Sequence, residues 1–64
     1  SEALGAALEE NELLMYRLRD TPDIDEETIH YIINNNVKDY SHVVKELFII
    51  YIVMGQYGKH HLFA

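Results

Sequence analysis

Apolar residues recur along the chain at helical spacing, and the pattern is interrupted twice by residues that stop helices. In the first segment Leu4, Ala7, Leu8, Leu14, Met15 and Leu18 share one face, while Glu2, Glu9, Glu10 and Glu12 supply a polar one. This predicts a first helix over Glu2 to Arg19, with acidic residues early and Arg17 and Arg19 at the end, an order that suits the helix dipole. Thr21-Pro22-Asp23 breaks it, because proline disfavours helical backbone in the residue before it and sits well in the first turn of a new helix. Either Asp23 with Glu26 as a capping box, or Thr21 with Pro22 behind it, is expected to start the second helix. That helix runs to about Asn35 and buries Ile29, Ile32 and Ile33.

Asn34, Asn35 and Asn36 form a stop signal, since asparagine tolerates left-handed backbone, and Val37 can close the end. Asp39 or Ser41 can cap a third helix that continues to about Tyr57, with Gly58 as its terminator. Within it, Leu47 to Met54 is an unbroken apolar run rich in β-branched and aromatic residues, so periodicity alone allows a buried strand. Helix is preferred: Val43, Val44, Leu47 and Tyr51 extend a helical stripe, and no second strand-like segment exists to pair with it. The expected fold class is all-α, a small three-helix domain over residues 1–64 that associates through its third helix.

Projected at about 100° per residue, the third helix gathers His42, Lys45, Glu46 and Gln56 on one side, read as the solvent side, with Ile49 and Val53 in its middle. Val44, Leu47, Phe48, Tyr51 and Met54 lie opposite and are expected to form the seam with the other helices. A helix apolar all round cannot be covered by so short a chain, so the surplus is expected to meet another chain. The expected partner-binding residues are Ile49, Ile52, Val53 and Gln56, and the partner is another protein or a second copy. The competing reading places the third helix centrally, wrapped by the other two.

Size and charge narrow the function classes. A chain of 64 residues buries only about 60% of the surface its unfolded form exposes. Small scaffolds offset this deficit with disulfides, a metal or association. Cysteine is absent, which removes disulfides and thiolate metal sites and fits an intracellular, cytoplasmic setting. Hydrophobic residues at 48% are too many for a disordered segment. A formal charge of -6 repels phosphate backbones and anionic membranes, so neither nucleic acid nor membrane is an expected partner. Ser1 rather than Met at the start is expected of a fragment or a processed chain.

Candidate chemistry is sparse. His30, His42, His60 and His61 include no i, i+4 pair that would set two imidazoles on one helix face, so surface histidines are expected and a histidine-dependent metalloenzyme is the remote alternative. Asp23, Asp25, Glu26 and Glu27 suggest a calcium loop, but its sixth and twelfth positions would be Thr28 and Asn34 rather than glycine and glutamate. Ser41 and His42 are adjacent, a poor arrangement for a serine–histidine hydrogen bond on a helix. Asn11 fits a heptad a position among Leu4, Ala7, Leu14 and Leu18, where it could fix the register of a two-stranded coil, or else it is an exposed polar residue. No motif assigns the chain to a family. The expected function is a non-catalytic docking, adaptor or regulatory module without cofactor, metal or small-molecule substrate. The rival is an acidic inhibitor that masks a basic surface through Glu9, Glu10, Glu12 and the Asp23 to Glu27 cluster.

Overall fold

Four α-helices and a closing π-helical turn follow one another in the computed structural model, which describes residues 2–62. They are α1 (Glu2–Glu10), α2 (Glu12–Asp20), α3 (Glu26–Asn36) and α4 (His42–Tyr57), with the π turn at Gly58–Leu62. The class is all-α as expected, and no strand occurs among the described residues. The run Leu47 to Met54 is helical throughout.

The expected first helix is two helices because of Asn11. Its side-chain Nδ2 and its backbone N–H both donate to the Ala7 carbonyl, at 2.9 and 3.1 Å. This local competition bends the backbone to φ -112°, ψ 21°. Asn11 is half-buried at this bend.

The connection after α2 also differs from the expectation. Thr21, held extended before Pro22, closes α2 by donating its N–H and its hydroxyl to the Arg17 carbonyl. Asp23 takes φ 65°, the left-handed region, and cannot serve as a cap. Asp25 caps α3 instead, accepting from the Thr28 N–H at 2.7 Å; the Thr28 hydroxyl, together with that N–H, holds its carboxyl below the usual carboxylate range. Ile24, just before the cap, packs against the core to which Ile29 belongs, in the manner of a hydrophobic staple. The asparagine run ends α3 without left-handed backbone: Asn35 and Asn36 donate their side-chain amides to the Tyr31 and Ile32 carbonyls, and buried Val37 closes the turn on Ile33.

Ser41 caps α4, its hydroxyl accepting from the Val44 N–H at 3.3 Å. Gly58 does not terminate this helix by reversing its backbone; it stays right-handed at φ -61°, ψ -46°, and the chain passes into the π turn. The core joins Ala7, Met15, Leu18, Ile29, Ile33, Val37, Val44, Phe48, Ile49 and Ile52. Helix α4 packs against α1, α2 and α3, so it is the element on which the others are assembled.

Candidate docking surface

Only one side of α4 is used for that assembly. Val44, Phe48, Ile49 and Ile52 are buried, with Phe48 and Ile52 at 0% exposure. On the other side Val43, Leu47, Ile50, Met54 and Tyr57 are all exposed, from 40% at Leu47 to 69% at Met54. Their spacing runs 4-3-4-3, the interval that keeps side chains in line along a helix meeting another helix. Tyr51 borders this stripe, half in solvent.

This division rotates α4 away from the expected orientation. Ile49 and Ile52 are interior, Val53 is partly buried against the core, and Gln56 donates its amide to the carbonyls of Leu18 at 2.7 Å and Thr21 at 2.8 Å. None of these four expected partner-binding residues belongs to the exposed stripe. Leu47, Tyr51 and Met54, expected in the seam, face out. The cause lies in the polar residues used as solvent markers. Gln56 satisfies the open carbonyls at the end of α2, and Lys45 is half-buried, so both lie on the packed side. No signal in the sequence marks the exposed face, because apolar residues at helical spacing lie on both sides of α4.

Helix α2 also exposes Leu13 and Tyr16, and Tyr16 shares a groove with Tyr51 of α4. This open groove of ≈ 230 Å³ lies where α1 and α2 meet Tyr51 and is lined by Leu8, Glu9, Glu12, Met15, Tyr16 and Tyr51. A second, wider cleft next to it is lined by Glu9, Glu10, Glu12, Leu13 and Tyr16. The Glu12 carboxylate, as hydrogen-bond partner and as charge, raises the Tyr16 phenol above its ordinary value.

Tyr16 is also supported from behind. The Arg19 guanidinium lies 4.8 Å from the ring centroid. Its aliphatic stem crosses α4 at Gly55, where an added Cβ would come within 2.8 Å of Arg19 Cγ and Cδ. Asp20 accepts from Arg19 Nε at 3.1 Å and pairs with Lys59 Nζ at 2.8 Å, and both partners hold its carboxyl below the usual range. His60 Nε2 meets the Arg19 carbonyl at 3.2 Å. The end of α2 is thereby clamped to the end of α4 and to the π turn that follows it.

His30 and His42 approach the same Glu46 carboxylate oxygen, at 4.0 and 3.6 Å. No group of three histidine, aspartate or glutamate side chains able to hold a metal ion occurs among the described residues. Ser41 is occupied as a cap, while His42 turns toward Glu46. No helix among the described residues is long and apolar enough to cross a membrane. The chain matches no protein-family model, no curated protein and no solved structure.

Proposed function

We propose that this protein is a non-catalytic interaction module that docks another protein chain along the exposed stripe of α4. The reading rests on one observation: five apolar side chains in 4-3-4-3 register, Val43, Leu47, Ile50, Met54 and Tyr57, stay in solvent on the helix that organises the core. A soluble surface carries single apolar residues without consequence, but an aligned set on one helix is the form taken by helix-in-groove recognition. It also accounts for a helix more apolar than its own core needs. The docking residues are then those of the stripe, with Tyr51 and Tyr16 at its border, in place of Ile49, Ile52, Val53 and Gln56.

Site-specific photo-crosslinking in cells tests the reading. A crosslinking side chain at Met54 should give a discrete adduct with one partner, and the same group at exposed Glu27 on α3 should not. Equal adducts at both positions, or none at Met54, would count against docking through α4.

A further inference from the structure

Tyr51, at the border of the exposed stripe, shares a groove with Tyr16 whose charged lining is of one sign. Every charged residue lining the two clefts next to Tyr16 is acidic: Glu9, Glu10 and Glu12. Glu10 is engaged by the Tyr40 hydroxyl across the molecule. Among the described residues no lysine, arginine or histidine forms an ion pair with Glu9 or Glu12. Of the two cations on α2, Arg19 is turned to Asp20 and the Tyr16 ring, and exposed Arg17 lines neither cleft. We infer that the occupant of this surface is a basic amphipathic helix of a partner protein, its apolar side on Leu47, Ile50, Tyr51, Met54 and Tyr16 and its lysines or arginines on Glu9 and Glu12. This deepens the docking reading above and rests on it.

Charge decides between this occupant and a second copy of the chain. Each copy carries a formal charge of -6, and a twofold pairing would place like-charged molecules against each other at the same surface. A basic helix instead gains attraction at the rim while burying the stripe, which is how charge complementarity selects a partner and speeds its arrival. Dimensions agree: at about 1.5 Å per residue, Val43 to Tyr57 spans roughly 21 Å, the length of a partner helix of about four turns.

Three synthetic 18-residue helical peptides, titrated into the isotopically labelled chain and followed by NMR, separate the possibilities. The first has leucine at heptad a and d with lysine flanking, the second keeps the leucines with glutamate flanking, and the third keeps the lysines with alanine for leucine. The leucine–lysine peptide should bind one to one, shifting resonances of Leu47, Ile50, Tyr51, Met54 and Tyr16. The other two should bind at least about tenfold more weakly, a difference of about 1.4 kcal/mol. Replacing Glu9 and Glu12 together by glutamine should shrink the gap between the leucine peptides to about threefold or less. Equal binding of the two leucine peptides at the stripe would overturn the basic-helix inference and leave docking through α4 standing. Equal binding of the alanine–lysine peptide, or no shift at Ile50 and Met54 with any peptide, would overturn both. A dimer in light scattering that Ile50→Glu abolishes would make a second copy the occupant and also defeat the inference.

Discussion

The two faces of α4 have nearly the same residue types and opposite environments. Val44, Phe48, Ile49 and Ile52 form the inner face, and Val43, Leu47, Ile50 and Met54 form the outer one. Hydrophobicity does not separate them. The difference comes from what the neighbouring helices can reach: α1, α2 and α3 pack on one side of α4 and leave the other open. A small chain has too few residues to enclose a helix completely, so an all-apolar helix in it acquires an outer face available for binding. Polar residues also lose their value as solvent markers here, because Gln56 is spent on the end of α2.

The largest contrast is expected between Phe48→Ala and Met54→Ala. Phe48 is fully enclosed and its truncation should cost ~3–5 kcal/mol, a large share of a small domain's stability. Met54, at 69% exposure, should change stability by no more than ~0.5 kcal/mol. Urea titrations followed by circular dichroism measure both, and similar midpoints would erase the distinction between the faces.

Gln56→Leu sharpens the comparison at the edge of the buried side. It removes the donors to the Leu18 and Thr21 carbonyls and should cost ~1–2 kcal/mol despite adding apolar surface. A gain in stability in the same titration would show that the helix end is satisfied by water as readily as by Gln56.

Acid provides the smallest effect and acts on the clamp rather than on the stripe. Lys59 and Arg19 lower the Asp20 carboxyl, so the folded chain binds its proton more weakly than the unfolded chain does. The stabilisation is therefore present above the ordinary carboxylate range and is lost as pH falls through the lowered value. Asp20→Asn should reduce the acid-side decline in melting temperature, by a modest amount because the site is exposed. An unchanged decline would remove Asp20 from the clamp.

Much of the helical pattern was legible in the sequence because its punctuation is local. Pro22 forces extended backbone at Thr21, Ser41 can cap, and the asparagines precede a buried valine, so the helix class and the breaks near Thr21–Asp23 and Asn34–Tyr40 could be read. The split at Asn11 was not legible, because it depends on a side-chain amide competing for the Ala7 carbonyl, which residue type does not announce. Asp25 rather than Asp23 caps α3 for a related reason: Asp23 is taken up by a left-handed turn. The orientation of α4 was least legible. With apolar residues on every side, its phase was inferred from His42, Lys45, Glu46 and Gln56; His42 is exposed, but Lys45 is half-buried and Gln56 is held by the end of α2.

Adjacent positions on α4 give the most direct test of the division between its faces: thermal melts, by circular dichroism, of Ile49→Glu and Ile50→Glu. Ile49 is 3% exposed and Ile50 51%. A glutamate at position 49 would be an unpaired charge in the core, and the cooperative transition should disappear. At position 50 the same residue stays in water, and the melting temperature should remain within a few degrees of the parent chain. Loss of folded structure in both variants, or in Ile50→Glu alone, would contradict the account, because the outer face of α4 would then belong to the core.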